Sequence, residues 1–188
     1  MLSEEIGSAM DAAAGSMEAA LEHLRFELTK IRTGKASTSL LIDIAVNYYG
    51  QMTPVSQVAS VATADARTIV IQPWEKTLLG PIERAIFEAN LGITPMNDGE
   101  VIRLTIPPLT EERRKDLVKQ ARHLGEEAKI SLRSARHKAL DQIKKAVKDG
   151  YPEDAGRQKE QEIQQLVNDY TRKIEQTIET KEKDLLTV

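Results

Sequence analysis

Apolar residues recur at steps of three and four along three long stretches of the chain. Between the first and second stretch the pattern changes to short alternating runs. Ile6, Met10, Ala13, Met17, Leu21, Leu24, Leu28 and Ile31 form one stripe, which is the spacing of a helix face that packs against a core. This predicts a helix over 3–32, with Ser3 as its N-cap, Glu4 and Glu5 at the positive end of the dipole and Gly34 as the terminating glycine.

A second stripe runs through Leu117, Ala121, Leu124, Ala128, Leu132, Ala135, Ala139, Ile143 and Ala146. Thr110 caps that helix, and Asp149-Gly150-Tyr151-Pro152 ends it. The third stripe, over 154–185, carries Ile163, Leu166, Val167, Tyr170, Ile174, Ile178 and Leu185. Isolated helices of this kind are marginal in water, so the three stripes are expected to bury against one another as a bundle.

The segment between the first two helices reads as strands and one helix. Leu40 to Tyr49 alternates, with Ile42, Ile44, Val46 and Tyr48 on one face, and turn residues follow from Gly50 to Pro54. Val58 to Ala62, Thr68 to Gln72 and Glu100 to Ile106 are further strand-like runs. Thr77 to Asn90 reads as a helix carrying Leu78, Leu79, Ile82, Ile86 and Phe87, with Pro81 in its first turn. The expected class is therefore α+β. Residues 1–32 with 106–188 make a three-helix bundle, and 33–105 make a small β/α domain inserted into it.

Charge sharpens this division. Residues 31–105 hold 13 charged side chains, while the other 113 residues hold 42. The 188-residue chain has a net charge of -3, so its overall balance gives no argument for nucleic acid. Zero Cys excludes disulfides and thiolate metal sites and fits a reducing compartment, with the cytoplasm as the default. No apolar run approaches a membrane span, and the acidic start is unlike a leader.

The distribution of charge is more telling. Residues 111–148 carry 12 basic and 6 acidic side chains, whereas 1–30 and 149–188 are each at -4. Lys115, Lys119, Arg122, Lys129, Arg133 and Arg136 fall at steps of four, three, seven, four and three, interrupted by Glu126. One reading is a solvated face paired with the acidic neighbouring helices. The other is a stripe that follows a phosphate backbone, for which the planar fork of arginine is suited. The pattern leaves the two at parity.

Catalytic signatures are missing. There is no Gly-rich phosphate loop and no G-x-S-x-G elbow, and His23, His123 and His137 lack the spacing of a helical zinc pair. No cofactor or metal is expected. Trp74 and the Tyr48-Tyr49 pair read as core and edge packing of the small domain rather than as base-stacking surfaces.

Several strings then resemble one family. KIRTGKAS (30–37), NYYG (47–50) followed by TPVSQVASV, PPLTEERRKDLVKQAR (107–122), KDG before the third helix and KIE near its end resemble, in order, the bacterial ribosome recycling factors. The resemblance implies an L-shaped, hinged molecule. It also implies a monomeric, non-enzymatic translation factor that splits the post-termination ribosome with elongation factor G while that partner hydrolyses GTP.

In that family the bundle lies on the large subunit and touches ribosomal RNA through arginines of the second long helix. Here these correspond to Arg133 and Arg136, with Arg122 and Lys129 flanking and Lys119 and Lys115 continuing the stripe. The hinge corresponds to Arg32, Thr33, Gly34 and Lys35 with Thr105, Ile106, Pro107 and Pro108. Lys35 stands where the family often has Arg, and His137 stands where it has a further basic residue. The alternative from the residues alone is a helical adaptor or chaperone that binds a protein partner.

Overall fold

The computed structural model describes residues 1–187. Its elements are α1 (Leu2–Thr29), β1 (Ala45–Tyr48), β2 (Gln51–Pro54), α2 (Val55–Val58), β3 (Ala59–Asp65), β4 (Thr68–Pro73), α3 (Leu79–Glu88), β5 (Pro95–Asn97), β6 (Ile102–Thr105), α4 (Glu111–Lys148) and α5 (Glu153–Leu186). They form two compact units, Met1–Arg32 with Glu111–Val188, and Thr33–Thr110.

The first unit is the three-helix bundle. Ile6, Met17, Leu21 and Leu24 of α1, Leu132 and Ile143 of α4, and Ile163 and Ile174 of α5 are at most 2% exposed, so the stripes read from the sequence form its core. Burial of each such side chain contributes roughly 1.5–3 kcal/mol, which is what keeps helices as long as the 38 residues of α4 folded. Two glycines set the α4–α5 approach. A Cβ on Gly125 would stand 2.8 Å from Ile178 Cγ1, and one on Gly156 would stand 2.6 Å from Val147 Cγ2.

The ends of α1 differ from the sequence expectation. Met1, not Ser3, is the N-cap residue, and it makes no side-chain cap. The helix also ends at Thr29 with Lys30 as its C-cap, so Gly34 lies beyond the terminating position. Gly34 is needed for another reason. Its φ is +73°, and a Cβ there would lie 2.9 Å from Leu109 Cγ.

The second unit holds a four-stranded antiparallel sheet in the order β3-β4-β6-β5 and a separate β1-β2 hairpin. Ile69, Ile71, Ile102 and Leu104 project from the sheet into a core shared with Ile82 and Ile86 of α3. The run read as one strand from Leu40 is shorter. Thr38–Leu41 is a 3-10 turn opened by Ser37, whose Oγ accepts from the Ser39 N–H, and Ile42 is exposed. A local side-chain bond of this kind offers the backbone an alternative to the strand. The residues read as a turn after Gly50 include β2, which pairs with β1.

Three further expectations are corrected. Trp74 and Phe87 are 70% and 71% exposed, because Trp74 follows the last residue of β4 and Phe87 lies off the Ile82–Ile86 face of α3. The predicted 77–90 helix is divided into a 3-10 turn, Lys76–Leu78, and α3. Ile106 belongs to the inserted unit rather than to the bundle: its N–H donates to the Arg67 carbonyl and its side chain is buried with the sheet residues. The return to the bundle therefore starts at Glu111.

Candidate nucleic-acid interface

The apolar face of α4 fixes where its cations go. With Ala121, Ala128, Leu132, Ala135 and Ala139 turned inward, the basic residues fall on the flank toward α5 or on the outer face. The stripe read from sequence is thereby split.

Three of its members lie within ion-pair distance of carboxylates on α5 or on α4 itself. Arg122 donates from Nε to Glu182 Oε1 at 2.5 Å and from Nη2 to Glu182 Oε2 at 3.4 Å. That carboxylate, chiefly through its hydrogen bond, holds the guanidinium above its ordinary pKa. Lys129 Nζ lies 3.4 Å from Glu175 and 3.5 Å from Glu126. Lys115 is paired with Glu111 one turn earlier, at 3.4 Å. Arg122, Lys129, Glu126, Glu175, Glu179 and Glu182 all line a groove of about 240 Å³ between α4 and α5. Carboxylates there outnumber cations, and an approaching phosphate meets little net attraction.

The remaining members behave differently. Arg136 Nη1 donates to Gln164 Oε1 at 2.9 Å, a neutral partner that orients the guanidinium without cancelling its charge. Arg133 and Lys119 are exposed, with no hydrogen-bond or ion-pair partner among the described residues. His137 and His123 lie near Asp141 and Glu127 at 3.4 and 3.0 Å, which are ordinary one-turn pairs of a solvated helix.

The Arg133 and Arg136 guanidiniums can hold phosphate oxygens by charge-assisted hydrogen bonds. The family model for Ribosome recycling factor matches residues 24–186. The chain belongs to the ribosome recycling factor family. The ribosome-recycling factor of Porphyromonas gingivalis is 51% identical over 98% of this chain and 100% of its own length. That of Bdellovibrio bacteriovorus is 50% identical over 94% and 95%.

Among solved structures, the chain resembles a solution structure of the ribosome recycling factor with a TM-score of 0.77 at 35% identity, over 98% of both chains. It also resembles the T. thermophilus ribosome recycling factor described with E. coli elongation factor G bound to the E. coli post-termination complex. There the TM-score is 0.57 at 39% identity, over 100% of both chains.

The connections between the two units of this family member are placed as follows. Arg32 is exposed just past α1, and Thr33, Gly34 and Lys35 are half-buried. Thr105 ends β6, Ile106 is buried, and Pro107 and Pro108 are exposed. No helix is long and apolar enough to cross a membrane among the described residues. No group of three His, Asp or Glu among them is placed to hold a metal ion. What the sequence reading missed is the role of α5, whose Glu175, Glu182 and Gln164 decide which α4 cations remain open. The acidic balance of 149–188 signalled pairing with α4. It could not say which cations would pair.

Proposed function

We propose that this chain disassembles the post-termination ribosome into subunits together with elongation factor G and GTP, and does so mechanically, with no catalytic chemistry of its own. Ribosomal RNA of the large subunit is held by the basic face of α4 around Arg133 and Arg136, whereas Lys115, Arg122 and Lys129 of the same sequence stripe face carboxylates. Contacts to phosphate position the factor without reading sequence.

One observation carries the reading: Arg133 is open and Arg136 is oriented by an amide rather than a carboxylate, on a helix of a recycling-factor fold. The relative described with elongation factor G on the post-termination complex supplies the partners by analogy. Force applied to the inserted unit reaches the bundle through two connections, Arg32 to Lys35 and Thr105 to Pro108. Bending concentrates at their outer residues, since Thr105 and Ile106 are tied into the sheet.

Light scattering tests this directly. Post-termination ribosomes mixed with the protein, elongation factor G and GTP are expected to lose scattering only when all components are present. Flat scattering with a folded protein and a partner that hydrolyses GTP would sink the reading and favour a helical adaptor, whose binding to protein is insensitive to salt.

A further inference from the structure

The cationic charge of α4 is not spread evenly along it. Residues 111–132 hold six basic and five acidic side chains, whereas 133–148 hold six basic and one acidic. Cross-helix pairing deepens the contrast. Ion pairs reach from α4 cations to α5 in the first part, Arg122–Glu182 and Lys129–Glu175, and Lys115 pairs with Glu111 there.

Beyond Leu132 the partners change. Arg136 meets the Gln164 amide, which is itself bonded to Asn168. The single acid, Asp141, lies beside His137. The nearby acids at the start of α5 are partly used locally, with Glu153 on Arg157 and Glu162 on Lys159. Lys145 turns toward α1, where it lines a groove with Glu4 and Glu5. Lys144 and Lys148 do not line that groove. Both are exposed and have no hydrogen-bond or ion-pair partner among the described residues.

Arg133, His137, Lys144 and Lys148 follow at steps of four, seven and four, so they share one helix face. From Arg133 to Lys148 that face spans about 22 Å, enough to follow several phosphates of one strand.

We propose that Lys144 and Lys148 are RNA-binding residues, and that the phosphate-holding surface of α4 is its C-terminal part from Arg133 to Lys148 rather than the whole helix. The proposal rests on the RNA-binding reading of α4 given above. It assigns Arg122 and Lys129 to pairing between α4 and α5 and Lys115 to an exposed one-turn pair with Glu111.

The test compares binding of the full chain to purified large ribosomal subunits over a range of salt concentrations. The variants are Lys144→Ala with Lys148→Ala, Lys115→Ala with Lys119→Ala, and Arg133→Ala with Arg136→Ala, each checked for unchanged helicity by circular dichroism. The first two remove the same charge from opposite ends of the helix. Losing Lys144 and Lys148 is expected to weaken binding about tenfold at moderate salt and to flatten the log-affinity against log-salt slope by about 1.5, the release expected for two phosphate contacts. Losing Lys115 and Lys119 is expected to change affinity by less than about threefold, leaving most of that slope.

Equal losses from the two lysine pairs would overturn the division of the helix. So would an unchanged affinity of the Lys144/Lys148 variant when the arginine pair weakens binding, because the RNA-binding reading then stands without the extension. If all three pairs, the arginines included, leave affinity unchanged, the RNA-binding reading of α4 itself fails.

Discussion

Gly125 of α4 lies so close to Ile178 of α5 that a single added methyl would stand 2.8 Å from Ile178 Cγ1. A helix gains up to about 1 kcal/mol from Gly→Ala, but overpacking a formed contact costs about 1–3 kcal/mol. Gly125→Ala is therefore expected to destabilise the bundle by about 1 kcal/mol, lowering Tm by about 2–4 °C for a chain of this size. Gly7→Ala and Gly15→Ala on α1 have nothing within 4 Å of the new methyl and are expected to raise it. Calorimetry of the three variants checks the contrast, and a rise in all three would show that the α4–α5 contact yields freely.

Arg122 and Arg133 are expected to give a crossed pattern. Arg122→Ala leaves the Glu182 carboxylate, only 20% exposed, without its cation. The guanidinium is itself 64% exposed, so solvent screening keeps the stability loss small. Its effect on large-subunit binding should be small. Arg133→Ala should leave Tm unchanged and weaken binding about threefold or more, most visibly at low salt. Melting curves and binding isotherms on the same two proteins decide it, and a parallel loss of both properties in both variants would contradict the assignment.

Acid should weaken the inserted unit through two turn carboxylates. The Asp98 carboxylate is held below the ordinary range chiefly by accepting from the Val101 and Glu100 N–H groups. Asp65 is held there chiefly by the Arg67 N–H and then by Thr68. A depressed folded-state pKa means stabilisation that is present above the unfolded value of about 3.9 and lost as pH falls through the folded value. Urea melts from pH 5 to pH 2 should show this loss in the parent chain and less of it in the Asp65→Asn/Asp98→Asn variant. An identical acid limb in both would remove these turns from the pH dependence.

The connections at Arg32 to Lys35 and at Pro107 to Pro108 are expected to bend during subunit splitting. Because the chain has no Cys, a cysteine pair with one member in each unit forms a unique cross-link. Oxidised protein should still bind ribosomes but lose splitting in the scattering assay, and reduction should restore it. Full splitting activity in the oxidised state would mean that the hinge plays no part.

The long helices were legible because their signal is periodic and repeated. Seven of the eight stripe positions, six in α1 from Ile6 to Leu28 and Ile31 just past it, are buried, and the half-buried Met10 does not mislead the pattern. The small domain was less legible because its strands are three to seven residues long, so one local contact can redirect a segment. Ser37 converts Thr38–Leu41 into a 3-10 turn in this way. Pro95–Asn97 is too short to announce itself, and it becomes a strand only by pairing with Ile102–Leu104. Trp74 was misplaced for a related reason, since its hydrophobicity says that burial is favourable but not that a neighbour is there to provide it.

The candidate site divides along the same line. The sequence determined the three apolar stripes, the charge-poor insert, the family motifs and the net positive charge of residues 111–148, because each is carried by residue identity and spacing along one element. Only the tertiary structure decided which of those cations remain free to meet phosphate. Whether Arg122 faces Glu182 or Arg136 faces Gln164 depends on the register between two antiparallel helices. That register is fixed by packing, through close approaches such as Gly125 on Ile178 and Gly156 on Val147, and packing between distant segments is not written in the periodicity of either one.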